Sequence, residues 1–175
     1  MSSDIKIPKI SQKHLLGIKY LSVEDINKIL ELGIFFKLKN KEKNKNYPIL
    51  TGRTVINLFF EPSTRTLISF EIAAKRLGAD VINMNIEGSS LRKGETLFDT
   101  AQTIGAMNPD LVVIRHSEDN SAEEISNLLD CPVVNAGEGI NEHPTQALLD
   151  AFTILDHKKT LKDLIVSICG DLEHS

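Results

Sequence analysis

Short, nearly unbroken apolar runs alternate along this chain with stretches in which apolar side chains recur every three or four positions. The runs "RTVINLFF" (53–60), "DVINMN" (80–85), "DLVVIRH" (110–116), "CPVVNA" (131–136) and "DLIVSICG" (163–170) predict strands buried on both sides. Ser22 predicts an N-cap, with Glu24 and Asp25 in the first turn and Ile26, Ile29, Leu30, Gly33 and Ile34 along one helical face. From Thr64 onward, Leu67, Phe70, Ala74 and Leu77 recur at helical spacing, and Gly78 suits the position just past a helix end. Further helices are predicted over 95–107, with Leu97, Ala101 and Ile104 inward, and over 121–130. A last one opens at His143-Pro144 and runs to about His157, with Leu148, Phe152 and Leu155 on one face. Pro144 fits its first turn, where a missing N–H costs nothing. Strands of this kind alternating with helices predict an α/β fold, a parallel sheet covered by helices on both faces.

Composition adds exclusions. The 175 residues suffice for one ordinary domain, and the hydrophobic and charged fractions, 41% and 25%, are those of a soluble globular protein. A net charge of −4 sets up no global field toward nucleic acid or an anionic membrane. The one basic run, "KLKNKEKNKNYP" (37–48), mixes Lys with Asn and Glu and predicts a solvated loop. Cys131 and Cys169 both fall in strand-like runs without paired spacing, which predicts buried, reduced thiols and a cytoplasmic setting. No stretch approaches the ~20 apolar residues of a membrane span, and "MSSDIKIPKISQ" lacks a signal-peptide core.

The chemistry-bearing residues fall where predicted strands end, the place at which open parallel sheets bind ligands. Ser63-Thr64-Arg65-Thr66 opens a helix directly after the first strand. Unpaired N–H groups and partial positive charge there suit a phosphate, and the Arg65 fork can hold two of its oxygens. The alternative is that Ser63 only caps the helix and Arg65 faces solvent. No Gly-rich phosphate loop is present. His143 and Gln146 share a face at the start of their helix, where the dipole disfavours a protonated imidazole. A neutral His143 could donate to a carbonyl oxygen, or serve only as a cap. Glu138 and Glu142 stand nearby without metal-ligand spacing, so no metal is expected. Arg115 ends a buried strand and must meet either a structural carboxylate or an anionic ligand. Lys93, in a Ser- and Gly-containing loop, reads by itself as a surface lysine. Nothing suggests an activated Ser or Cys nucleophile.

The segments "FFEPSTRTLISFEIAAKRLGADVINM", "SSLRKGETLFDTAQ", "VIRHSEDNSA" and "NAGEGINEHPTQALLDAFTI" closely resemble aspartate carbamoyltransferase catalytic chains, of the aspartate/ornithine carbamoyltransferase superfamily. The likeness runs from "LLGIKYLSVEDI" to the last residue. Ser-Thr-Arg-Thr together with His-Pro-Thr-Gln is specific to that superfamily, and Lys93 in its Lys-Gly-Glu loop favours the aspartate over the ornithine branch. The resemblance implies transfer of the carbamoyl group of carbamoyl phosphate to the amino group of L-aspartate, a step of pyrimidine biosynthesis. It implies that Ser63, Thr64, Arg65 and Thr66 hold the phosphate, with Thr66 also reaching the carbonyl oxygen. Arg115 and His143 would polarise that oxygen, and Gln146 would help bind the carbamoyl amine.

Ser89, preferred to Ser90, and Lys93 match loop residues that reach into a neighbouring subunit, which implies a homotrimer with shared active sites. A regulatory chain is a further partner the family allows; no cofactor is implied. Leu67 departs from the basic residue that often follows the motif. By the same likeness, residues 1–148 form a carbamoyl-phosphate-binding domain, and 149–175 an interdomain helix with the first strand of a truncated aspartate-binding domain. The 175 residues are then expected to bind carbamoyl phosphate without completing transfer. A non-catalytic phosphate-binding or oligomerisation fragment and an ornithine carbamoyltransferase are the other readings.

Overall fold

A computed structural model describes residues 6–85 and 96–170. The elements, in chain order, are α1 (Val23–Lys39), β1 (Thr54–Phe59), α2 (Thr64–Arg76), β2 (Asp80–Asn85), α3 (Leu97–Ala106), β3 (Leu111–His116), α4 (Ser121–Leu128), β4 (Val133–Glu138) and α5 (Pro144–Lys158). They match the predicted segments to within a few residues at their ends. Gly78 follows α2 at φ +87, the left-handed conformation expected just past a helix end. The four strands pair in parallel in the order β2-β1-β3-β4.

Alternation along β1 explains how a strand so apolar is buried on both sides. Ile56 and Leu58 pack with Ala101 and Ile104 of α3 and Ala122 and Ile125 of α4. Val55 and Phe59 point the other way, onto Ala74 of α2 and toward Val113 and Ala136. Helices therefore cover both faces, as predicted. Burying each large aliphatic side chain contributes about 1.5–3 kcal/mol. Before α1, Leu15 forms a single parallel bridge to Val134, extending the β4 edge.

The strand order decides where a ligand can enter. The chain steps from β1 outward to β2, then crosses back over β1 to build β3 and β4 on the other side. The connections diverge between β1 and β3, and a crevice opens beyond the carboxyl ends of those two strands.

Two expectations need correction. Residues 163–170 form no strand. A strand needs a neighbour for its N–H and C=O groups, and no described strand lies beside this one; Ile165 is 99% and Ile168 79% exposed. Cys169 is accordingly exposed rather than buried, while Cys131 is half-buried, and both thiols are free. The expected boundary at 148/149 lies within α5, the helix predicted from His143-Pro144 to about His157. Among the described residues, no helix is long and apolar enough to cross a membrane.

Candidate anion-binding site

The chain leaves β1 through Phe60-Glu61-Pro62 and enters α2 at Ser63, its N-cap. Ser63 makes no side-chain capping bond to the helix backbone. Its hydroxyl donates instead to the hydroxyl of Thr66, at 2.9 Å. The N–H groups of the first turn thus remain without a side-chain cap among the described residues, and the positive end of the helix dipole faces the crevice. Thr64 and Arg65 are exposed there, and Arg65 forms no ion pair among the described residues. Ser63 thus sits at the cap position without a capping bond, while Arg65 is exposed, as the alternative reading expected. Leu67, where a basic residue often stands, packs inward against the core as expected.

Arg115, the next-to-last residue of β3, pairs in register with Phe59 at the end of β1. Its guanidinium meets a carboxylate, but loosely: Nη2 stands 3.4 Å from Oε2 of Glu61. Nη1 donates to the carbonyl of Ala136 at 3.0 Å, and the buried Nε has no partner among the described residues. An unpartnered buried donor costs about 1–3 kcal/mol, so the charge is only partly compensated by protein.

His143 is the N-cap of α5 and likewise makes no capping bond with its side chain. The His143 ring and the Arg115 guanidinium rest on one residue, Gly137, which adopts φ +113. A Cβ there would lie 2.4 Å from Arg115 Nη1 and 3.1 Å from His143 Cδ2, so only glycine lets both groups approach. Burial, and then the neighbouring Arg115 charge, lower the His143 pKa below its ordinary value, so the imidazole is neutral at pH 7. Thr145 Oγ1 lies 3.4 Å from its Nδ1. Gln146 is exposed, with Nε2 donating to Asp150 at 3.0 Å.

Thr66, His143, Thr145 and Gln146 line a cavity of about 300 Å³ between α2 and α5. A larger cavity, about 500 Å³, lies between α1 and α2 among Phe36, Tyr47 and Ile72 and contains none of the strand-end residues proposed from the sequence. The structure therefore gathers Ser63, Thr64, Arg65, Thr66, Arg115, His143 and Gln146 at one end of the sheet. Ser89 and Lys93 lie outside the described residues. Glu138 accepts the Ala122 N–H at 3.0 Å, and Glu142 accepts that of Ile18 at 3.4 Å. No cluster able to hold a metal occurs among the described residues. Sequence reasoning missed Glu61, Asn135 and Gly137. An Asn-x-Gly at the end of an otherwise apolar strand was the available signal for two of them.

A family profile described as the carbamoyl-P binding domain of aspartate/ornithine carbamoyltransferase matches residues 13–156. The aspartate carbamoyltransferase catalytic subunit of Pelagibacter ubique is 57% identical over 170 residues, covering 97% of this chain and 54% of the relative. That of Bartonella tribocorum is 53% identical across the whole chain, again covering 54% of the relative. Among solved structures, Trypanosoma cruzi aspartate transcarbamoylase in complex with carbamoyl phosphate superposes with a TM-score of 0.80 at 37% identity, over 88% of this chain and 48% of that one. The catalytic subunit from M. jannaschii gives a TM-score of 0.76 at 40% identity, over 85% and 48%. The chain spans about half the length of the curated relatives it matches.

Proposed function

Since the chain belongs to the aspartate/ornithine carbamoyltransferase family through its carbamoyl-phosphate-binding domain, we propose that it supplies the carbamoyl-phosphate site of an aspartate carbamoyltransferase. That enzyme moves the carbamoyl group to the amino group of L-aspartate, yielding N-carbamoyl-L-aspartate and phosphate for pyrimidine synthesis. The observation that carries this reading is the seating of Arg115 and His143 on Gly137, beside the uncapped start of α2.

In this reading the phosphate lies against the first-turn N–H groups of α2, with the hydroxyls of Ser63, Thr64 and Thr66 and the Arg65 fork completing its shell. The carbonyl oxygen then points toward Arg115, Thr66 and the neutral His143, while Gln146 holds the carbamoyl amine. Attack by the aspartate amine forms the new C–N bond and an oxyanion. Collapse breaks the C–O bond to phosphate, which leaves with the electron pair, and the amine releases a proton. Fixed donors aimed at such an oxyanion are each worth about 3–4 kcal/mol of barrier in other enzymes. Arg115 suits the role because its charge is not fully matched by Glu61, and His143 because a neutral imidazole donates without adding charge. The transfer invokes no cofactor.

The finer parts of the proposal follow the family. Ser89 and Lys93 act in a neighbouring subunit's site within a cytoplasmic homotrimer, to which a regulatory chain can bind. Residues 1–148 make the carbamoyl-phosphate-binding domain, and 149–175 lead into the aspartate-binding half. The 175 residues alone then bind carbamoyl phosphate without turnover. The test is thermal unfolding of this chain with carbamoyl phosphate, and with inorganic phosphate as the comparison. A ligand at 100 times its Kd adds about 2.7 kcal/mol, so a clear upward shift is expected. No shift with either compound would mean that these residues do not form a working half-site.

A further inference from the structure

The peptide group joining Ala136 to Gly137 is held at both of its polar atoms. Its carbonyl accepts from Arg115 Nη1 at 3.0 Å, and its N–H donates to Oδ1 of Asn135 at 2.8 Å. Asn135 is fully buried, and its Nδ2 donates to the carbonyl of Leu16 at 2.9 Å, 119 residues away in sequence. A side-chain amide carries an acceptor and a donor on separate atoms. Here each is aimed at a different backbone segment.

The segment it reaches is itself tied down. The Asn135 N–H donates to the Leu15 carbonyl, the Leu15 N–H to the Val133 carbonyl, both at 2.9 Å, and the Val133 N–H to His14 Nδ1 at 3.1 Å. On the far side of the turn, Glu142 immediately precedes His143. Its carboxylate covers Gly17, where an added Cβ would stand 2.8 Å from Oε1. Residues 14–18 thus brace the β4–α5 connection at both ends.

We propose that Asn135 is a positioning residue for the anion site: by holding the Gly137 N–H and the Leu16 carbonyl, it fixes the turn on which Arg115 and His143 are seated together. Without its acceptor, the Ala136–Gly137 peptide can rotate and carry its carbonyl away from Arg115, which loosens the guanidinium from the imidazole. The ligand in this inference rests on the carbamoyl-phosphate reading; the geometry does not.

Two readouts on this chain separate the two. One is the affinity for inorganic phosphate. The other is the NMR titration of the His143 ring without ligand, assigned by its loss in His143→Gln. In Asn135→Ala the phosphate Kd should rise about tenfold, as for a lost hydrogen bond to a charged group. The His143 titration should also move to higher pH as the Arg115 charge recedes. Asn135→Ser, whose hydroxyl can still accept weakly from an N–H two residues on, should fall between, and it takes the place of the alanine variant if that one does not fold. Ile125→Val, in the core on α4, lowers stability without removing a hydrogen bond of the turn and should leave both readouts unmoved.

An unchanged titration in folded Asn135 variants would overturn the proposal, as would equal changes in Ile125→Val, which would reduce Asn135 to a source of stability. If the parent chain binds no phosphate, the binding reading falls, yet a shifted His143 titration still upholds Asn135 as the residue that seats the pair.

Discussion

At the start of α1 the Ser22 hydroxyl accepts the Asp25 N–H, and at the start of α3 Thr96 and Asp99 satisfy one another in a reciprocal capping box. The start of α4 has no cap of its own, but the Glu138 carboxylate reaches across from β4 to accept the Ala122 N–H. The starts of α2 and α5 differ from all three. Ser63 turns its hydroxyl to Thr66, and His143 turns its ring to Gly137 and Arg115. A helix start left without side-chain acceptors keeps its donors and its partial positive charge for something outside the chain. Both open starts face the crevice between β1 and β3, and the closed ones belong to the scaffold. Helix capping, ordinarily a matter of stability, here sets apart the two helix starts that border the proposed anion site.

The contrast can be broken at its centre with Gly137→Ala. The new methyl collides with Arg115 and meets an unfavourable backbone conformation costing about 1–3 kcal/mol. Stabilisation by carbamoyl phosphate in thermal unfolding should disappear altogether. Removing a charge from the open start is the next largest change. Arg65→Ala should abolish the ligand-induced shift, about 2.7 kcal/mol at saturation, while the unliganded chain stays within about 0.5 kcal/mol of the parent. Unchanged ligand stabilisation would take Arg65 out of the site.

Exchanging a closed start for an open one sharpens the point. Ser22→Ala should lower unliganded stability by about 1 kcal/mol and leave phosphate affinity alone. Ser63→Ala should do the reverse, weakening affinity with only a small change in denaturant midpoint. Equal behaviour of the two would erase the distinction.

The smallest effect is in pH. Burial is the leading cause that lowers the pKa of His14, His116 and His143 below the ordinary 6.5. An imidazole depressed in the folded chain takes up protons more readily when unfolded. Its contribution is whole above about 6.5 and declines as pH falls below that. Asp25 acts later. Ser11 donates from both its hydroxyl and its N–H and holds the carboxyl down at about 2, so its contribution lasts until the pH falls below the ordinary 3.8. Melting temperature should therefore decline modestly from pH 7 to 5, without the steeper loss that begins near pH 4. Bound phosphate should raise the His143 titration by adding negative charge beside it.

Much of this molecule was legible from local pattern. Apolar runs and helical spacing located four strands and five helices, because burial on two sides leaves a chain no polar positions to alternate with. Ser63, Thr64, Arg65, Thr66, Arg115, His143 and Gln146 stood out because they fall together at strand ends, where open parallel sheets bind ligands. The fifth run, 163–170, misled because an apolar segment reads the same whether or not a partner strand exists. Cys169 went wrong with it.

Local order, the alternation of layers and the polar residues at the strand ends were thus determined by the sequence itself, through forces that act over a helical turn or a strand. Only the tertiary structure decided that Arg115 meets Glu61 at 3.4 Å while its Nε has no partner among the described residues, and that a glycine at position 137 brings it against His143. It also decided that Asn135 would join residues 119 apart. Those outcomes depend on distances across the sheet, where chain separation carries no information and packing sets every approach to within an ångström.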